Sequence, residues 1–333
     1  MSAPAPHEIL WMLTNAVMAS RSLHVVAELG VADQIDDVPV ETQDMAAACA
    51  ADPDGLDRVL RLLTAFGIFA ADGEGYRHTE ASRLLRTAHP MSMRGFAPMM
   101  GLPVFRATFD RLEDSVLTGT TAMGLVEAGG LWPYLKEHQQ EREAFAQAMT
   151  AKAAADIAAV LGAYDFTRFA TIADVGGGHG HLLRAVLNVA EDAHGILFDL
   201  PAVTQALDPD LDLDRDRLTA HPGDFFVDPL PAANAYVLME VIHDWPDTQA
   251  LTTLQAVRRA APPGARVLII ENVLGGVVAD PRGQTLDVIM LAVTGSRERT
   301  GPQLESLLEE AGFSSLTVTD TTGPLRLVEA VAR

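Results

Sequence analysis

"TIADVGGGHGHLLRAVLNVA", residues 171 to 190, runs from a short apolar strand into a glycine-rich turn and then into a helix. Strand, glycine turn and helix in that order open a doubly wound sheet, provided the alternation continues. It does. "GILFDL" (195–200), "LTAHPGDFF" (218–226), "NAYVLME" (234–240) and "ARVLIIE" (265–271) read as further strands, with helical stretches such as "TQALTTLQAVRRAA" (248–261) between some of them. The tail "FSSLTVTDTTGPLRLVEAVA" (313–332) reads as two strands around a "TTGP" turn. The expected fold is α/β, a Rossmann-like parallel sheet closed by an antiparallel hairpin.

Upstream of this region the pattern differs. Residues 8–36 carry apolar side chains at helical spacing. A short helix is expected over Thr42–Ala50, a turn at Asp52-Pro53-Asp54-Gly55, and a strong helix over Leu56–Phe66. Leu56, Val59, Leu60, Leu63 and Phe66 line one face of that helix. "IFAADGEGYRHT" (68–79) then fits two strands around an Asp-Gly turn, which completes a winged helix. Residues 96–163 read as largely helical and rich in Phe, Met and Trp, a composition that usually means plain core. The expected division is a winged-helix domain over 1–100 and a second domain over 101–333. Within the second, 101–163 is a helical, pocket-lining segment and 164–333 the Rossmann-like core.

Bulk composition removes several function classes. The 333 residues are 48% hydrophobic with a formal net charge of −21. Nucleic-acid binding depends on neutralising phosphates, which this balance opposes, whereas a cationic small ligand meets no such penalty. Asp52, Asp54 and Asp57 crowd the start of the would-be recognition helix, leaving Arg58 and Arg61 as its basic residues. No run approaches the roughly 18 apolar residues of a membrane span, and the N-terminus lacks a secretory signal pattern, so a cytoplasmic protein is expected. With Cys49 as the single cysteine, disulfide frameworks and cysteine-based metal clusters are excluded. His179 and His181 flank the glycine loop without further ligands, so no metal is expected.

The ligand of the glycine loop follows from its spacing. A dinucleotide fingerprint needs G-x-G-x-x-G; Gly176 and Gly178 fit, but the third position is His181. The loop is instead D-x-G-x-G-x-G, with Asp174, Gly176, Gly178 and Gly180, and no Walker lysine follows. S-adenosylmethionine (SAM) suits such a loop, being cationic and free of phosphate. Asp199 ends the second strand, where an acid can pair with ribose hydroxyls. Asp224 ends the third, where it can accept from an adenine amino group beneath Phe225. Each acid alone would be an ordinary strand-end residue; loop and both acids in order are a stronger signal.

"DVGGGHG", "FDLP", "GDFF", "HDWPD", "IIEN" and "LDVIMLAVTGSRERT" occur in order over residues 174–300. Together they resemble the class I SAM-dependent O-methyltransferases of the plant caffeic-acid type and their bacterial secondary-metabolite relatives. The winged helix resembles the dimerisation domain of the same family, so the likeness covers nearly the whole chain. It implies a cofactor site made of Asp174, Gly176, Gly178, Asp199, Leu200, Gly223, Asp224, Phe225, Met239 and Trp245. It also implies His243 as general base, flanked by the carboxylates Glu271 and Glu298. Phe145, Met149 and Met290 would bind the acceptor. Two departures stand out: Met239 occupies a place where relatives carry a polar or basic residue, and Ala153 one where plant relatives have a serine.

The chemistry makes "HDW" intelligible. A phenol of pKa about 10 is a poor nucleophile at neutral pH, so an imidazole that accepts its proton during attack helps by roughly 10²–10⁴ fold. The imidazole must be held still by an acid on its other nitrogen, and Glu271, ending the next strand, is the natural partner with Glu298 the weaker one. The expected enzyme is a SAM-dependent O-methyltransferase for a hydroxyl of a small aromatic or polyketide-like metabolite. Phe105, Phe109 and Trp132 join Phe145, Met149 and Met290 in suggesting a flat apolar acceptor. The alternatives are a SAM-binding relative that methylates nitrogen, hydroxylates or decarboxylates, a winged-helix ligand-sensing regulator, or an NAD oxidoreductase. Apolar N-terminal helices bearing Ile9, Leu10, Trp11, Leu13 and Val17 point to a homodimer.

Overall fold

Alternate residues of the central strands face two different hydrophobic layers, and this period of two organises the larger part of the protein. A computed structural model describes residues 5–73, 75–205, 217–275 and 280–333. The chain forms two compact units, Met1–Arg106 with Glu143–Lys152, and Ala107–Arg142 with Ala153–Arg333.

In the first unit, helices Pro6–Thr14, Ala16–Leu29, Thr42–Ala48 and Pro53–Ala65 accompany a small antiparallel sheet. Its strands are β1 (Val40–Glu41), β2 (Phe69–Asp72) and β3 (Gly75–His78), in the order β1-β3-β2. This is the expected winged helix with one strand more than the sequence suggested. The helix expected from Leu56 starts at Pro53, because the Asp52 side chain accepts from the Gly55 N–H at 2.8 Å and caps it, with proline at the first helical position. Leu56, Leu60 and Leu63 are buried as expected, but Phe66 lies past the last turn and is 52% exposed. Arg58 and Arg61 are paired one turn back with Asp54 (2.8 Å) and Asp57 (2.9 Å).

The second unit is built on strands β4 (Thr171–Val175), β5 (His194–Asp199), β6 (Leu218–Pro222), β7 (Ala235–Met239), β8 (Arg266–Glu271), β11 (Phe313–Asp320) and β12 (Arg326–Ala332), with a separate ladder of β9 (Val273–Leu274) and β10 (Arg299–Thr300). The large sheet runs β11-β12-β8-β7-β4-β5-β6. Its β6-β5-β4-β7-β8 part is parallel, and the hairpin β11–β12 joins antiparallel along β8. Ala173, Val175, Tyr236, Leu238, Val267 and Ile269 face helices Asp247–Ala260 and Gly301–Glu310. Ile172, Ala235, Val237, Leu268 and Ile270 face the other way, onto helix His181–Val189 and Ile157 and Val160 of helix Gln139–Ala163. Full burial of each such side chain contributes about 1.5–3 kcal/mol, so the register is strongly specified.

The chain leaves β4 outward to β5 and β6, then returns to β7 and β8 on the other side. The reversal beside β4 is the switch point where α/β sheets bind ligands. The glycine loop, Asp199, Gly223-Asp224, the 240–245 turn and Glu271 all leave the carboxyl ends of these parallel strands.

Among the described residues one helix, Gln139–Ala163, is long and apolar enough by composition to cross a membrane. Arg142, Glu143, Lys152 and Asp156 interrupt it. Its residues Glu143–Lys152 count with the first unit.

Candidate active site

Three glycines in the loop after β4, Gly176, Gly178 and Gly180, have φ of 72°, 56° and 72°. These left-handed conformations strain any residue with a Cβ. A Cβ at Gly178 would meet nothing within 4 Å, so this part of the loop presents bare backbone to open space. At Gly177 a Cβ would lie 2.5 Å from the Asp174 carboxylate and from Leu197. Asp174 therefore packs directly against the loop, where its Oδ2 is buried without a hydrogen-bond partner. Burial, and then the charge of Asp199, push its carboxyl up to about 7.

Asp199 ends β5 and is fixed by two main-chain donors, Gly178 N–H to Oδ2 at 2.8 Å and Leu200 N–H to Oδ1 at 2.7 Å. Each oxygen keeps a second lone pair for a ligand hydroxyl. Leu200 is 46% exposed beside it. Gly223 donates to the Asp199 carbonyl at 2.9 Å, and a Cβ there would meet the Phe198 ring at 2.6 Å, so this glycine allows close packing. Asp224 accepts from the Phe226 N–H at 2.9 Å, which orders the turn that carries Phe225. Phe225 and Phe226 meet Trp245 edge to face at centroid distances of 5.9 and 4.7 Å, and Trp132 stacks on Trp245 at 5.9 Å. Met239 closes β7, half-buried against the layer that contains Ala153.

His243 lies in a 3₁₀ turn, Ile242–Asp244, and is almost fully buried. Its Nδ1 is 2.6 Å from Glu298 Oε1, and its main-chain N–H donates to Glu271 Oε1 at 2.9 Å. The ring partner is thus Glu298, expected as the weaker candidate, and not Glu271. Glu271, at the end of β8, reaches the backbone of the turn, while Glu298 comes from the loop after helix Pro281–Val293 and reaches the ring. An ionised carboxylate only accepts, so Nδ1 donates, and Nε2 lies 3.7 Å from Asp244 Oδ1. Burial alone would push the imidazole down; the Asp244 charge, the Glu298 hydrogen bond and Glu271 outweigh it and raise it to about 10. Burial pushes the Glu271 carboxyl up to about 7.

Glycine loop, acid-ended strands and aromatic wall suit a cation without phosphate, and an imidazole held at Nδ1 can take a proton at Nε2 once the ring is neutral. Residues 109–314 match the O-methyltransferase domain, and residues 11–88 the O-methyltransferase dimerisation domain. The chain belongs to the O-methyltransferase family. Phenazine O-methyltransferase of Lysobacter antibioticus is 36% identical over 325 residues, 97% of this chain and 95% of that protein. The 8-amino-8-demethylriboflavin N,N-dimethyltransferase of Streptomyces davaonensis is 35% identical over 299 residues, 87% of this chain and 85% of that one. Human N-acetylserotonin methyltransferase, solved with SAM, superposes with a TM-score of 0.92 at 27% identity, covering 99% of this chain and 98% of that one. This chain is accordingly an enzyme, a methyltransferase that uses SAM.

In this methyltransferase the second unit gathers most of the residues singled out from sequence. Met290 is buried on helix Pro281–Val293. Phe145 and Met149 belong to the first unit, where both are half-buried, and Phe105 is buried there as well. Sequence reading missed Phe226, which packs on Trp245, and Asp287, which accepts from the Glu298 N–H at 2.9 Å. It also missed Arg299, 1% exposed beneath the His243 turn. "GDFF" and "RERT" carried a signal for Phe226 and Arg299, since each sits beside a residue already chosen.

Proposed function

We propose that this methyltransferase moves the methyl group to a hydroxyl of a small aromatic or polyketide-like acceptor, with His243 as the general base. Bound SAM supplies a methyl carbon activated by its positive sulfur. The single observation that carries the reading is the buried imidazole with Nδ1 held at 2.6 Å by Glu298, in the turn that follows β7, the strand paired with β4. Asp199 accepts from the ribose hydroxyls, Asp224 from the adenine amino group, and Phe225 and Trp245 wall the ring. Gly176 and Gly178 let the backbone approach the methionine part. His243 Nε2 takes the acceptor proton as the oxygen attacks, and Met290 packs against the acceptor. Alignment of oxygen, carbon and sulfur at about 3–3.5 Å supplies much of the remaining rate.

A screen of phenols, polyketide enols and aromatic amines with methyl-labelled SAM tests the reading. An O-methyl product, identified by its mass and the chemical shift of the new methyl, supports it. Product only from amines establishes the second reading, nitrogen transfer, which the 35% identity to an N,N-dimethyltransferase favours.

The proposal includes a homodimer through the N-terminal unit. Leu10, Trp11, Leu13 and Val17 are 68%, 65%, 69% and 53% exposed on its first two helices, an apolar surface that a partner copy would cover. Sedimentation is expected to give a dimer; a monomer at micromolar concentration contradicts it. Duplex DNA is not a partner in this reading, since Arg58 and Arg61 are already paired with acids, and a low-salt gel shift checks the point.

A further inference from the structure

Arg299 is among the largest side chains the protein buries completely, and it is not part of the proposed chemistry. Burying a guanidinium costs several kcal/mol unless its donors are matched. Here they are matched by one short segment. Nη1 donates to the Ile242 carbonyl at 2.9 Å, Nη2 to the Trp245 carbonyl at 2.7 Å, and Nε and Nη2 reach Asp247 Oδ1 at 3.0 and 2.7 Å. The two carbonyls bracket His243, and Asp247 starts the following helix.

Its chain neighbour Glu298 holds the same turn from the other side, through the ring. The main chain of this dipeptide is itself fixed: Asp287 accepts from the Glu298 N–H at 2.9 Å, and Arg299 pairs with Val273 in the parallel β9–β10 ladder. Val273 lies two residues beyond Glu271, which accepts from the His243 N–H. Imidazole, backbone N–H and flanking carbonyls of one turn are thus tied to two adjoining strand segments.

We propose that Arg299 is a positioning residue for methyl transfer: its planar fork locks residues 242–245 so that the His243 ring stays aligned with Glu298 and its Nε2 with the acceptor. The inference rests on the reading of His243 as base. Lysine keeps the charge but cannot span both carbonyls, so it separates geometry from electrostatics.

The test compares Arg299→Lys, Asp247→Ala and His243→Ala with the parent enzyme, reading kcat, its pH profile and SAM affinity. A misplacement of about 1 Å can cost on the order of 10² in rate, so Arg299→Lys is expected to lose roughly 10–100 fold in kcat. Its rising pH limb should move to lower pH as the Glu298 contact loosens, with SAM affinity changed only a few-fold. Should Arg299→Lys fail to fold, Asp247→Ala decides, because the Asp247 side chain is 55% exposed and its loss frees one side of the fork. It should lose several-fold in kcat with the limb displaced the same way. A parental kcat and limb in the variant that decides, or a loss that only follows the folded fraction with the limb unmoved, overturns the proposal. If His243→Ala itself turns over normally, the base reading has failed; if it is inactive while the Arg299 and Asp247 variants behave as the parent, only the role of Arg299 falls.

Discussion

Replacing Glu298 by glutamine isolates the contact on which the proposed mechanism turns. The substitution keeps size and an accepting oxygen but removes the negative charge 2.6 Å from His243 Nδ1, at a site where neither side chain is more than 6% exposed. A hydrogen bond to a charged group contributes about 1.5–3 kcal/mol, and each 1.36 kcal/mol is a decade in rate. If that bond strengthens as the imidazolium forms, Glu298→Gln should lower kcat by about 10 to 150 fold. The direction of the pH effect follows separately. The base works as the neutral ring, and the surrounding carboxylates raise its pKa, so activity climbs with pH as the ring loses its proton. Removing one of those charges lets the pKa fall, so the rising limb should move to lower pH while the plateau drops. Steady-state methylation from pH 5.5 to 10.5 with both substrates saturating measures both quantities. An unchanged plateau, or a limb displaced upward, refutes the reasoning.

Three further outcomes follow from the same geometry. In the parent enzyme, the rising limb of kcat should lie below that of kcat/KM for SAM, because bound sulfonium charge disfavours the imidazolium; coincident limbs would contradict this. Asp199→Asn should weaken SAM binding about 10 to 150 fold by calorimetry, since it removes the charge behind hydrogen bonds of about 1.5–3 kcal/mol, and an unaltered Kd would remove Asp199 from the site. Gly177→Ala places a methyl 2.5 Å from Asp174 and Leu197 and should cost about 1–3 kcal/mol of stability in denaturant titration, whereas a parental midpoint would show that the loop accommodates it.

Much of this was legible in the sequence because strand ends concentrate chemistry. "TIADVGGGHG" predicted the switch-point loop, and the acids after β5 and β6 stood out because each follows a strand-like run. The parallel sheet and closing hairpin were legible for the same reason. Alternation along a strand tells which face a residue takes, but not what crosses over that face. That is why Glu298, the weaker candidate, and not Glu271 holds the ring: the choice depends on a loop arriving from 298 and on the two-residue ladder β9–β10, too short to leave a pattern. Burial of Arg299 was hidden likewise, because an arginine in a loop reads as solvated until its carbonyl partners are known. Phe66 erred in the opposite sense, continuing the apolar stripe one residue past the end of its helix. The capping role of Asp52 explains the helix start missed at Pro53, since Asp-Pro-Asp-Gly reads equally as a turn.

The most direct measurement is a single-turnover rate for His243→Ala alongside its SAM affinity. Removal of a proton-accepting group should slow the chemical step by roughly 10²–10⁴ fold and leave the Kd for SAM within a few-fold of the parent. A variant that transfers the methyl group at the parental rate would show that the acceptor loses its proton elsewhere.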